Sequence, residues 1–489
     1  MLSQGSSALR MLVIVLIVVT ASSIAVAQAT QPGAWTPLKN QPTFQTDTAL
    51  LLTDGSVMVH EYMSPNWWRL KPTNTGSYVN GTWSQLASMQ SNYGPLYYGS
   101  AVLPDGRVLV EGGEYNCCGG SEVTLGAIYD PKKNTWTNVN PPSGWSYIGD
   151  SPTVILPNGT LMMGQGASPS TLQVQFNAST LTWSSVGSGK ADGFSEEGLA
   201  LLPGGKVLTV DTEDGTNSET YDPSTTQWSS AGSTIVELPS NGGFGIVPEM
   251  GPLVQRPDGT VAAFGATTHT SVYNVSTGNW TQGPDFPGGN MAADAPGSIL
   301  PDGNVLVATS PFFAAPTTFF EFDGTAFTQV PAPPSASGQP SFTVRLLPLP
   351  NGRVLYTLAD GATIDVEVYA PNGSANSAWK PAITSVPATL THGKTYKISG
   401  KQFNGLSAGA AYGDDAQMAT NYPLVEIKNK KTGHVFWART HNHSTMGIST
   451  GNQIVSTQFD VPATIEKGAS TIFVVANGIS SVGKTATVN

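Results

Sequence analysis

A short apolar run ending in an Asp/Asn-Gly or Gly-Gly pair recurs along the chain, in LLTDGSVMV, VLPDGRVLV, ILPNGTLMM, LLPGGKVLT, QRPDGTVAA, ILPDGNVLV and PLPNGRVLY. Each copy predicts a β-hairpin, because Asp-Gly and Asn-Gly supply the positive φ angles that a tight two-residue turn demands. The turn glycines are Gly55, Gly106, Gly159, Gly205, Gly259, Gly303 and Gly352, at intervals of 51, 53, 46, 54, 44 and 49 residues. A period of that size, carried by strand-forming sequence, is the signature of β-propeller blades.

A second element keeps the same period: an aromatic, a short polar turn, then Trp. The copies are Tyr78 to Trp83, Tyr129 to Trp136, Phe176 to Trp183, Tyr221 to Trp228 and Tyr273 to Trp280, with Phe322 to Phe327 as a weaker one. Each blade is therefore expected to hold four antiparallel strands, the outermost beginning at the Trp, with the rings filling the space between neighbouring blades. With Gly112-Gly113 after a second strand, this spacing resembles the kelch repeat. Trp35 precedes the first inner strand and has no blade of its own. It is expected on the outer strand of the seventh blade, closing the ring and removing its open edges.

Arg10, the apolar run MLVIVLIVVT and the small residues ending Ala25-Val26-Ala27 read as a secretory signal peptide over residues 1–27. Secretion to the extracellular space is the expectation, with no membrane span after cleavage; an uncleaved N-terminal anchor is the alternative. The net charge of −11 argues against a nucleic-acid partner. The only cysteines, Cys117 and Cys118, are adjacent. In an oxidising compartment they are candidates for a vicinal disulfide, the one intramolecular bridge open to them.

From about Pro381 the glycine period stops, and THGKTYKISG, YPLVEIKN, GHVFWART, QIVSTQFDVPA and STIFVVANG alternate in strand fashion. The fold class is all-β: a seven-bladed kelch propeller over 28–380 and an immunoglobulin-like sandwich over 381–489. GLSAGAAYGDDAQMATNYPLV, ARTHNHSTMGI and STQFDVPATI resemble the C-terminal domain of the galactose oxidase and glyoxal oxidase group. The order of domains resembles that group along the whole mature chain.

The resemblance implies a mononuclear copper held by two tyrosines and two histidines, one tyrosine being cross-linked to a cysteine. The cross-linked tyrosine and one histidine stand eight residues before the Asp/Asn of their turns. At that register this chain has Thr46, Tyr97, Asp150, Glu196, Met250, Asp294 and Thr343. Tyr97 matches. The family's Tyr-His pair is Phe342-Thr343 here, and the cysteine expected near residues 45–48 is absent. His441 or His443 stands where the C-terminal copper histidine would come, on a hairpin expected to reach up the channel. One tyrosine and one histidine do not make a copper radical site.

Acids take its place. Asp150, Glu196 and Asp294 share one register and should point together into the channel mouth. With His441 they are candidate ligands for a divalent cation; alternatively they accept backbone N–H bonds or face water. Glu197, Asp47 and Glu249 lie one residue off and should face elsewhere. His60, His269, His392 and His434 stand singly and read as structural. Trp67-Trp68, Tyr97-Tyr98 and Trp145-Ser146-Tyr147 give aromatic density on loops suited to stacking on sugar rings. Two function classes remain open. One is a monomeric, non-catalytic binding or scaffold protein whose partner is a glycan or a cell-surface protein. The other is an enzyme with a changed site, either a divergent oxidoreductase or a cation-dependent activity.

Overall fold

The structure, a computed structural model, describes residues 33–415 and 418–489. The signal peptide lies outside the described residues. No helix among them is long and apolar enough to cross a membrane.

Seven antiparallel blades form a propeller, six of four strands and one, blade six, with a fifth strand added on its inner edge. Blade one is built from Thr46–Leu51, Val57–Glu61, Trp67–Lys71 and Thr82–Gln85. Blade seven is built from Val344–Pro348, Val354–Leu358, Glu367–Ala370 and the N-terminal strand Ala34–Pro37. Trp35 faces Tyr369 in that last pairing, so the first segment of the fold closes the ring. Thr46 Oγ1 donates to the Leu358 carbonyl at 3.0 Å and Thr357 Oγ1 to that of Asp47 at 2.8 Å across the closure.

The hairpins differ from the two-residue expectation in a regular way. Leu52 N–H donates to the Ser56 carbonyl and Gly55 N–H to that of Leu52, closing a three-residue loop. Gly55 alone takes a positive φ, 72°, while Asp54 Oδ1 accepts from Ser56 N–H at 3.0 Å. Asp or Asn therefore serves as a side-chain acceptor that tightens the turn, and only the glycine needs the left-handed conformation.

The aromatic and the Trp lie directly opposite each other in blades two to five, as Tyr129 and Trp136, Phe176 and Trp183, Tyr221 and Trp228, Tyr273 and Trp280. The indole N–H then reaches the backbone just past the previous blade's outer strand: Trp136 to the Ala87 carbonyl at 2.8 Å, Trp183 to that of Asn140 at 3.0 Å, Trp35 to that of Pro331 at 2.6 Å. The same ring thus fills the blade and staples it to its neighbour. In blade one the partner of Trp83 is Leu70, and Tyr78 instead sends its hydroxyl to the Gly55 carbonyl.

The C-terminal strands form one continuous curled sheet of nine strands, from Ala382–Ser385 to Lys484–Val488, wrapped as a half-barrel sandwich around Ile398, Phe403, Val425, Phe459 and Ile472. This sheet docks on the turn face of the propeller. Thr440 N–H donates to the Thr53 carbonyl and Met446 N–H to that of Pro157. Trp437 lies so close over Gly55 that a Cβ there would be 2.5 Å from the indole.

Candidate functional site: an acidic channel mouth

The inner strands run from the channel mouth to the turn face, and four of the seven residues eight positions before the turns, Tyr97, Asp150, Glu196 and Asp294, line the mouth. A cavity of about 1110 Å³ opens there. Eight carboxyl side chains line it: Glu114, Glu122, Asp150, Glu196, Glu249, Asp294, Asp414 and Asp415. Tyr62, Tyr97, Tyr115, Tyr147 and Tyr412 supply hydroxyls. No Lys, Arg or His is among the lining residues.

Three register residues hold left-handed backbone, Tyr97 at φ 51°, Glu196 at 58° and Asp294 at 44°. Such conformations in residues other than glycine cost on the order of 1–3 kcal/mol each and persist where the surroundings enforce them. Here each turns its side chain into the mouth. Oxygens of Asp150, Glu196 and Asp414 lie within 4.8 Å of one another, as do oxygens of Glu196, Glu249 and Asp294.

The segment that rises to the mouth is the run from Phe403 to Asp415, not the hairpin of His441 and His443. Ala410–Ala411 pairs with the inner strand Gly297–Ile299 of blade six. Tyr412 donates to the Phe342 carbonyl at 2.5 Å, and Asp414 and Asp415 then reach the acids from the axis. His441 is held by Asp460, Nε2 to Oδ1 3.1 Å. His443 is buried under blade two, its N–H on the Pro104 carbonyl and Nδ1 2.9 Å from Thr457 Oγ1. Burial, then the positive neighbours His441 and Arg439, drops its pKa to about 3. Both rings belong to the domain junction because their hairpin is fixed to the turn face.

Burial dominates the electrostatics of the mouth. It pushes Asp150, Glu196, Asp294 and Asp414 well above the usual carboxylate range, and like-charged neighbours push further: Glu114 and Asp415 on Asp150, Asp414 and Asp150 on Glu196, Glu249 and Asp414 on Asp294, Asp150 and Asp415 on Asp414. Glu249 is pushed up to about 7, mainly by burial.

Beneath the mouth lies a fully buried Arg345, with its guanidinium 4.3 Å from the ring centre of Tyr412 and 5.5 Å from that of Tyr97. Nη1 donates to the carbonyls of Phe342 and Val344 at 2.7 and 3.0 Å, and Nη2 is 3.9 Å from Asp47 Oδ1. Arg345 lies on the inner strand Val344–Pro348, just past the 3-10 turn Ser341–Thr343 that holds the register residue, so counting back from the turn passes over it.

Of the off-register acids, Asp47 faces His60 at 3.2 Å and Glu197 faces Lys190 at 2.9 Å, both away from the mouth. Glu249 departs from expectation. Met250, on the register, packs its side chain into the core between blades and offers its carbonyl to Asp294 N–H, which leaves Glu249 to enter the mouth. Of the loop aromatics, Trp67 and Tyr98 are buried and Trp68 stacks on Phe44 at 4.6 Å, so these build the blades. Cys117 and Cys118 are free thiols, with no bridge between them.

No protein-family profile matches the chain, and no curated protein does. Among solved structures the chain is similar to a fungal alcohol oxidase of the AA5 family, described as novel, catalytically diverse and in complex with copper. The identity is 14%, the TM-score 0.52, and the match covers 94% of this chain and all of the other. A structure titled YjhT, at 14% identity and TM-score 0.41, matches over 60% of this chain and 99% of its own. The chain thus has the galactose-oxidase fold, a seven-bladed propeller followed by a curled β domain.

The copper implied by that fold does not fit these residues. Copper sites of this kind need imidazole, and all six histidines lie outside the cavity. Phe342 lines the mouth where a tyrosine ligand would stand, and Thr343 sends its hydroxyl to the Pro340 carbonyl at 2.9 Å. The donors present are carboxylates and phenols, a set for hard cations.

Proposed function

We propose that this is a secreted binding protein that keeps the oxidase scaffold and uses its channel mouth to hold a hard divalent cation. The observation that carries the reading is a cavity lined by eight carboxyls and no cationic side chain. Buried charges of one sign require either protons or a counter-cation, and an all-oxygen set matches calcium or manganese better than copper.

A glycan is the partner class. Tyr115 lines the cavity and is exposed, and an exposed Phe244 stacks over Phe312 and Phe313 at 5.6 and 6.3 Å, of which Phe313 lines the cavity. Flat exposed rings suit the apolar faces of sugars, while a cation in the mouth would bind their hydroxyls.

Calorimetric titration of the chelator-stripped protein with calcium, manganese and copper salts tests the reading. Calcium or manganese should bind and raise the melting temperature by mass action, and Asp294→Asn should remove most of that gain. Failure of every divalent ion to bind would leave the acids structural. Stoichiometric copper with alcohol-dependent oxygen uptake would replace the reading with that of a divergent oxidase.

A further inference from the structure

We propose that the mouth holds two hard dications side by side, bridged by Glu196. This inference rests on the cation-binding reading above and specifies its stoichiometry and geometry. The two acidic trios, Asp150 with Glu196 and Asp414, and Glu196 with Glu249 and Asp294, share Glu196 and no other residue. Within each trio one oxygen from each residue lies within 4.8 Å of the other two. Calcium takes oxygen ligands at about 2.3–2.6 Å, so oxygens up to roughly 5 Å apart can face one another across a single ion. Each trio is therefore the size of one calcium site.

A separate observation points to a ligand. Glu249 is only 7% exposed and lines the cavity, yet its Oε2 meets no donor outside the acids themselves, its partners being the carboxyls of Asp294 and Glu196. Asp294 Oδ1, in the same trio, likewise lacks a donor other than Glu249. Buried acceptors left without donors are rare in folded proteins and call for an ion or a proton.

Charge balance separates two ions from one. The five carboxylates of the two trios carry −5 when ionised; one dication leaves −3 in a buried space, and two leave −1. Glu114 and Glu122 add further negative charge around them. A bidentate carboxylate common to both trios also fits the close spacing of paired-metal sites, about 3.5–4 Å between ions. Phenols of Tyr97 and Tyr147 line the same cavity, in which hydroxyls or carboxylates of a bound sugar acid could complete both coordination shells. The Asp192, Glu197 and Asp211 trio has comparable spacing, but Lys190 Nζ already sits 2.6 Å from Asp192 and 2.9 Å from Glu197, so it is not counted among the sites.

The test is calcium stoichiometry by calorimetry on the full mature chain after chelation. The wild type should take up two ions, Asp150→Asn one, Glu249→Gln one, and Glu196→Gln should weaken both by at least tenfold. Electron paramagnetic resonance of the manganese-loaded wild type should show a spin-coupled pair, a readout that survives even if a variant fails to fold. One ion per chain, or two ions without coupling, overturns the pair while leaving the cation-binding reading standing. No bound ion overturns that reading and the pair with it.

Discussion

Glu196 in blade four and Asp294 in blade six stand at the same distance before their turns, and both hold left-handed backbone, at φ 58° and 44°. Their carboxylates meet around Glu249 within 4.8 Å. Two strained residues from non-adjacent blades thus converge on a third acid, although like charges at that distance oppose one another. The fold places them there at a cost, and that cost should be measurable as pH dependence.

The cation-free protein should lose stability as pH rises. Glu249 titrates near 7 in the fold, against 4.5 as its ordinary value, and Asp150, Glu196, Asp294 and Asp414 are raised as well. A raised carboxyl keeps its proton in the native state after the unfolded chain has released its own. Its stabilising contribution is complete below about pH 4.5 and falls as pH climbs through the folded value. Glu249 alone accounts for on the order of 3 kcal/mol between pH 4.5 and 7.5. Urea unfolding in chelator at pH 5 and pH 8 should show the drop, and Glu249→Gln should make it smaller. Equal stability at both pH values would contradict the burial argument.

Asp414 depends on a close backbone approach. A Cβ at Gly198 would fall 2.4 Å from the Gly413 carbonyl oxygen, so the inner strand of blade four and the channel segment fit only because this position has no side chain. Gly198→Ala should force them apart and destabilise the protein by about 1–3 kcal/mol. It should also weaken cation binding without removing any ligand. Unchanged binding in this variant would mean that Asp414 is not part of the site.

Most of the propeller was legible because its determinants are local. Gly55 and its six counterparts mark hairpins, Trp136 and its counterparts mark outer strands, and the surplus Trp35 marked the ring closure. Tyr97, Asp150, Glu196 and Asp294 were found by counting back along single strands. The rest of the mouth depends on tertiary placement that strand alternation does not encode. Asp414 and Asp415 arrive on a segment distant in sequence, and Glu249 replaces Met250 because the methionine side chain is drawn into the core between blades. The histidines misled because two on one short turn suggest a ligand pair, whereas the docking of that turn onto Pro104 assigns them to the domain junction.

The adjacent thiols should react as two unbridged groups. Cys118 is exposed while Cys117 is partly covered, and burial followed by the hydrogen bond to Cys118 pushes the Cys117 thiol up to about 12. Little thiolate forms there at neutral pH, and the thiolate is the reactive form. Ellman's reagent should therefore count two thiols in denaturant and react slowly with Cys117 in the native protein, as Cys118→Ser would isolate. A count of zero in denaturant without reductant would establish the vicinal bridge instead.

Lys190 gives the sharpest contrast with the mouth, where no lysine, arginine or histidine lines the cavity among the described residues. Its Nζ is buried 2.6 Å from Asp192, 2.7 Å from Glu219, 2.9 Å from Glu197 and 3.6 Å from Asp211, and lies over the rings of Phe194 and Trp228. One tethered ammonium neutralises a cage of acids that would otherwise repel. Lys190→Met strands those charges and should cost about 3–5 kcal/mol at pH 7.5. Asp211 is raised to about 7 even with the lysine present, chiefly by burial, so the deficit should shrink at pH 5, where the caged acids can take protons. Calcium should also recover part of it, because Asp192, Glu197 and Asp211 already hold oxygens within 4.8 Å of one another. Guanidinium unfolding of the variant at both pH values, with and without calcium, checks each effect; a loss independent of both pH and calcium would show that Lys190 acts through packing on Phe194 and Trp228, not through charge.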